Sequence, residues 1–239
     1  MRCGMLGRIP IVLVVAMSST VARADFILES ASLGNTGQSS GTSAVGNQFL
    51  GSRFQVLQDT VVDLVGGHIG GRGSLFAAIV PLAGPGANLP TAGPSEIETV
   101  ALASTTFSPN ATSTNVELTL SVSLKPGYYS LVFGSGKFGA SGSGFMPLDN
   151  TELGKPSYFF SRANLDPLIP PQWLDGGFDH ARFVVIGHST FRPVPEPTSL
   201  LLVGIGGLGL VGYARRHHRG VRDGRDSMRT RPGSAAGGS

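Results

Sequence analysis

The stretch from Val116 to Leu124 constrains this chain more than any other. Val116, Leu118, Leu120, Val122 and Leu124 alternate strictly with Glu117, Thr119, Ser121 and Ser123. Successive side chains of a strand point to opposite faces, so the pattern describes a half-buried β-strand with one apolar and one wet face. Such a strand needs neighbours beside it and a second layer over its apolar face. Glycine use points the same way. Between Asp25 and Pro193, 23 of 169 residues are glycine, about twice the ordinary usage of about 7%. Glycine disfavours helix interiors and supplies the positive φ angles of tight turns.

Further strands are expected at Phe26–Leu33, Gln48–Leu57, Thr60–Ile69, Tyr128–Phe133, Ser157–Phe160 and Arg182–Ile186. Ser74–Leu82 is nearly continuously apolar, the pattern of a strand buried on both faces. Gly34–Gly46 and Gly134–Gly144 read as Gly/Ser loops, and a Pro-rich loop surrounds Pro167, Pro170 and Pro171. No segment of 25–193 shows a sustained helical period with caps. The expected fold class is all-β: a single β-sandwich of jelly-roll type.

The two ends have another character. Arg2 and Arg8 precede the apolar stretch Ile9–Ala16, and Ala22-Arg23-Ala24 supplies small residues at Ala22 and Ala24 for cleavage before Asp25. Residues 1–24 are therefore expected to be a signal peptide, handled by the Sec export machinery and signal peptidase. Cys3, the only cysteine, falls within it, so the mature chain has no thiol for a disulfide or a metal. At the other end, Pro195-Glu196-Pro197 makes a stiff extended stalk, since each proline restricts its own φ and the residue before it. Thr198–Ala214 then runs 17 residues without a charge, about 26 Å as a helix at ~1.5 Å per residue. That is slightly short of a hydrocarbon core of about 30 Å, a gap that snorkelling by Arg215 and Arg216 can close. Arg215, Arg216 and Arg219 form the basic stop expected on the cytoplasmic side. The expected organisation is a signal peptide (1–24), a β-sandwich (25–193), a stalk (194–198), a membrane helix (199–214), a basic stop (215–219) and a polar Arg/Gly/Ser tail (220–239).

Charge excludes one class of partner. The whole chain carries +3, but residues 25–193 hold 8 Lys and Arg against 12 Asp and Glu, a formal charge of −4. The basic residues concentrate in the targeting segments, so nucleic acid is not an expected partner.

Val194–Arg219 resembles the PEP-CTERM sorting signal of Gram-negative, exopolysaccharide-producing bacteria. Pro195, Glu196 and Pro197, the glycine-interrupted run Ser199–Tyr213 and the cluster Arg215–Arg219 carry the likeness. The same tail is also called an ice-binding-protein C-terminal domain, a label that says nothing about ice. The resemblance implies recognition of Pro195, Glu196 and Pro197 by exosortase, a multi-spanning membrane enzyme. Such proteins usually stop just after the basic cluster, whereas 20 residues follow it here. Val65–His68, Ser74–Val80 and Lys125–Gly134 also look like a recurrent β-rich domain found with such tails, which implies no activity.

Motifs for chemistry are sparse. Gly134-Ser-Gly136-Lys-Phe-Gly139 matches G-x-G-x-x-G, but Ala140–Gly144 cannot supply the helix a dinucleotide needs, so a strand connection is expected. His68, His180 and His188 share no metal spacing, and His68 sits between glycine pairs at an expected strand end. Asp175 and Asp179 bracket a turn without the ligand density of a calcium loop. Ser189 follows His188, but adjacency does not make a triad. Trp173, the only tryptophan, is a weak candidate for stacking on a sugar from a loop; packing beneath that loop is the favoured reading.

No cofactor or metal is expected and the protein is read as no enzyme. The expected function is that of an exported, membrane-tethered component of the extracellular polysaccharide or biofilm layer. Membrane lipid, exosortase and extracellular polysaccharide are its expected partners. A carbohydrate-binding module would show instead as exposed aromatics on a sheet face, and a surface hydrolase as converging carboxylates or a Ser/His pair.

Overall fold

The computed structural model describes residues 24–45, 48–85, 89–161 and 170–190, together with Gly206 and Leu210. The chain divides into two compact units, Met1–Phe191 and Arg192–Ser239. The first is all-β, with two six-stranded antiparallel sheets among the described residues. In the second, Gly206 and Leu210 are helical and Leu210 is exposed. No helix among the described residues is long and apolar enough to cross a membrane. The expected membrane run 199–214 otherwise lies outside them, as do Ala22, Pro195, Glu196, Pro197, Arg215, Arg216 and Arg219.

Sheet 1 contains β1 (Asp25–Glu29), β3 (Thr42–Val45), β5 (Thr60–Gly73), β8 (Thr114–Leu124), β10 (Gly142–Met146) and β14 (Phe183–Ser189). Its spine is β5, whose 14 residues pair with β14 over 60–67, with β8 over 60–69 and with β10 over 70–73. Sheet 2 runs in the order β13 (Trp173–Asp175), β12 (Tyr158–Ser161), β4 (Leu50–Val56), β9 (Gly127–Gly134), β6 (Leu75–Pro81) and β7 (Ala103–Phe107). A small ribbon pairs β2 (Ala31–Ser32) with β11 (Thr151–Glu152).

The main core lies between the sheets. Leu120, Leu124, Val65, Phe183 and Val185 of sheet 1 meet Leu50, Phe54, Leu131, Phe133 and Ile79 of sheet 2. The alternation of Val116–Leu124 is realised as expected: Leu120 and Leu124 are buried, and Glu117, Thr119, Ser121 and Ser123 are exposed. A second core on the far face of sheet 2 gathers Phe49, Phe76, Val132, Phe159 and Trp173, covered by Ile97 and Ala140. That double cover explains the unbroken apolar run of β6, all of whose residues from Leu75 to Val80 are fully buried.

Several expectations are corrected. The loop expected at 34–46 contains β3, and the one expected at 134–144 gives way to β10 at Gly142. β5 does not end at Ile69 but continues through Gly70 and Gly71, which places His68 in a strand interior. There, close backbone approach requires glycine: a Cβ on Gly71 would lie 2.5 Å from the Ser143 carbonyl oxygen. β7 and β13 were not foreseen, nor the 3-10 turn Pro94–Glu96 and the single helical turn α1 (Ile97–Val100) that cap the second core.

Candidate functional site

The first unit holds its exit point firmly. Thr190, its last described residue, donates from both its N–H (2.9 Å) and its Oγ1 (3.1 Å) to the Asp59 carbonyl in the β4–β5 turn. The Asp59 carboxylate takes Lys125 Nζ at 2.7 Å, which ties the β8–β9 turn to the same spot. That hydrogen bond, and secondarily the carboxylate charge, raises the pKa of the exposed Lys125 ammonium. Ser189 pairs with Thr60 and Asp25 with Gly187, so the start of β1 and the end of β14 share this end of sheet 1. Ala24, at the expected cleavage site, is exposed just before β1.

Of the residues singled out in the sequence, His68 is the most constrained. Asn150 Nδ2 donates to the Pro147 (2.9 Å) and His180 (2.7 Å) carbonyls, which leaves its Oδ1 as an acceptor for Gly34 N–H and for His68 Nδ1, each at 2.9 Å. With Oδ1 accepting, Nδ1 is the donor of that contact. Fully buried, His68 Nε2 is left without a protein partner. Neighbouring Asp149 accepts through Oδ2 from the Asn35 N–H (2.9 Å) and from Gln38 Nε2. The cluster fastens the segments around Gly34 and Asn150 across β5.

The other candidates are dispersed. His188 Nδ1 meets Asp63 Oδ2 at 2.7 Å, but Ser189 adjoins it on a strand, where adjacent side chains face opposite ways. His180 occupies a left-handed turn position (φ 59°), its N–H donated to Glu152. Asp175 is bound by Arg53 at 2.7 Å. Among the described residues no three His, Cys, Asp or Glu side chains gather as metal ligands. Gly134–Gly139 leads from β9 into a tight turn closed by Gly136 N–H to Ala140 O, with no helix after it.

Trp173 follows the packing reading and not the sugar-stacking one. It lies on strand β13, only 8% exposed, with its ring against Phe159 (5.3 Å) and Phe49 (5.9 Å) and its Nε1–H donated to the Ala92 carbonyl at 2.8 Å. An indole so buried, with its N–H already donated, packs the second core and offers no platform for a sugar. Among the described aromatics only Phe26 counts as exposed, and it lies in a cross-strand row with Ile186 and Leu64 on the outer face of sheet 1.

One concavity stands out at the opposite end of β5 from Thr190. A cleft of about 480 Å³ is lined by Ser39, Ser40, Arg72, Ser143 and Phe145, with glycine backbone between them. Arg72 pairs in register with Ser143, and Gly70 with Phe145, so these four share a sheet face and the Phe145 ring covers Gly70. Sequence reading missed this site, because nothing local marks Arg72. Segments about 30 and 70 residues distant in the chain make the cleft, and the pairing of β10 with β5 and of β3 with β10 joins them.

Comparison with known proteins adds to this geometry at the tail alone. No curated protein matches the chain. A family model described as the PEP-CTERM protein-sorting motif matches residues 193–219, which begin just past the clip at Thr190. Such a motif implies export, anchoring at the membrane or surface, and processing by exosortase. Beyond the β domain, then, this chain carries a PEP-CTERM protein-sorting motif at residues 193–219.

Proposed function

We propose that the protein is exported, processed through the exosortase route and displayed at the cell surface as a non-catalytic component of the extracellular polysaccharide or biofilm layer. The sorting motif at residues 193–219 is the observation that carries this reading. Signal peptidase cleaves after Ala24, with Ala22 and Ala24 in its small-residue subsites. Pro195, Glu196 and Pro197 present the recognition element on a stiff stalk, residues 199–214 cross the membrane, and Arg215, Arg216 and Arg219 stop transfer. The ectodomain is a sandwich of jelly-roll type.

The stalk and the membrane run do different physical work, so substitutions separate them. Glu196→Ala keeps the apolar run and the basic stop; insertion should survive while the processed band disappears in an exosortase-positive host. Leu202→Asp with Leu208→Asp should block insertion itself, at about 2.5–3.5 kcal/mol for each charge near the helix centre. If Glu196→Ala is processed like wild type, the sorting reading fails and the tail acts only as an anchor.

A second reading, carbohydrate binding by the ectodomain, is favoured by the cleft at Arg72. Its volume falls in the range of small-ligand sites, roughly 300–1,000 Å³, and its lining is hydroxyl-rich.

A further inference from the structure

The cations of the described domain are mostly engaged. Arg53 is bound to Asp175, Lys125 to Asp59, Lys137 to Glu98 and Arg182 to Glu29. Arg72 and Lys155 have no ion-pair partner among the described residues, and both are exposed. Arg72 lines the cleft and Lys155 does not. A guanidinium without such a partner among the described residues is unusual in a domain of net charge −4, where twelve carboxylates compete for eight cations. Around it stand the hydroxyls of Ser39, Ser40 and Ser143, and the partly exposed ring of Phe145 lies on the same sheet face.

This set matches one ligand chemistry. A guanidinium presents a planar fork of N–H donors that meets a carboxylate in two parallel hydrogen bonds, which a lysine cannot reproduce. Serine hydroxyls both donate and accept, as the hydroxyls of a sugar require. An aromatic ring offers an apolar surface to a pyranose face. A neutral sugar would use the hydroxyls and the ring but would leave the fork empty.

The location suits a polymer. β5 carries Thr60 beside the exit at Thr190 and Arg72 near its other end, roughly 40 Å along the strand at about 3.3 Å per residue. The cleft is thus near the end of β5 far from Thr190.

We propose that the cleft binds acidic polysaccharide, with Arg72 holding the carboxylate of a uronate residue and Ser39, Ser40 and Ser143 bonding to hydroxyls of the same or adjoining sugar. This rests on the carbohydrate-binding reading above and narrows it to one class of polymer.

The test uses the full-length protein in mild detergent, with polygalacturonate as acidic probe and dextran as neutral probe. Wild type should bind polygalacturonate, and more weakly as salt rises from 50 to 500 mM, where screening shortens to a few ångströms. Arg72→Ala should weaken that binding at least tenfold, and Arg72→Lys should recover only part of it. Lys155→Ala should leave it unchanged, since Lys155 carries the same charge outside the cleft. Ser40→Glu, on an exposed position, should repel the probe without disturbing the core, and circular dichroism should be unaltered in all four variants. Equal loss with Lys155→Ala, or no loss with Arg72→Ala, would show that binding is diffuse and overturn the proposal. Dextran bound as tightly as polygalacturonate, and independently of Arg72, would keep the carbohydrate reading and sink the acidic class. Binding of neither glycan would end both, with the sorting function untouched.

Discussion

Asn150 is the residue outside the two cores whose loss this fold should feel most. Its carboxamide satisfies two carbonyls, the Gly34 N–H and the Nδ1–H of His68, all in a region where His68 is completely buried. Asn150→Ala strips these groups of a partner, at about 1–3 kcal/mol for each one left buried and unpaired. The expected destabilisation is therefore about 3 kcal/mol or more, measured by urea unfolding with the fluorescence of buried Trp173 as reporter. A loss below about 1 kcal/mol would mean that the segments around Gly34 and Asn150 are held by other contacts. Tyr158 gives a pH signature. Its hydroxyl is buried and donates to the Ala181 carbonyl at 2.9 Å, and burial pushes its pKa up to about 12 from an ordinary 10.0. Below pH 10 the phenol is neutral in both folded and unfolded chains, so its contribution is fully present there. Between pH 10 and about 12 the unfolded chain releases the proton and the folded one does not, so stability falls, by on the order of 2 kcal/mol. Tyr158→Phe should flatten this part of the stability profile; an unchanged decline would assign it to other groups.

At the scale of elements, glycine is the residue that divides what sequence reveals from what it hides. β8 and β6 are legible because packing writes itself into their side chains, as a period of two in Val116–Leu124 and an unbroken apolar run in Leu75–Val80. β10 and the far end of β5 are not, because their pairing depends on backbones that approach too closely for side chains. A Cβ on Gly142 would lie 2.4 Å from the Arg72 carbonyl oxygen and 2.7 Å from both Ser74 N and Ser74 O. Read one residue at a time, such a glycine resembles a loop; in the sheet it is what lets β10 pair with β5. Gly142→Ala should therefore cost about 1–3 kcal/mol by overpacking, whereas Gly93→Ala, with nothing within 4 Å of its added Cβ, should stay within about 0.5 kcal/mol. Thermal unfolding of the two variants checks this, and similar behaviour would contradict the account of β10. The same blindness hid the cleft. Arg72 reads as an ordinary surface charge until β5 is carried past Ile69 and paired with β10. Trp173 drew attention by its rarity and proved to be packing, because its cover comes from Phe49 and Phe159, distant in the chain.

For the whole molecule, both chain ends of the β domain meet at one end of sheet 1, where Asp25 pairs beside Gly187 and Thr190 is clipped to Asp59. The uncleaved 24–25 bond would lie immediately beside β1, so N-terminal sequencing of the mature protein should begin at Asp25, and an intact Met1 would contradict export by this route. The central claim is that the tail is a processed sorting signal rather than a passive anchor. Intact-mass measurement of the protein from a host with exosortase and from the same host with that enzyme deleted tests it most directly. The expected result is a mature form starting at Asp25 that has lost the residues beyond the Pro195–Pro197 stalk when exosortase is present, and that retains them when it is absent. Identical masses from the two hosts would contradict the account.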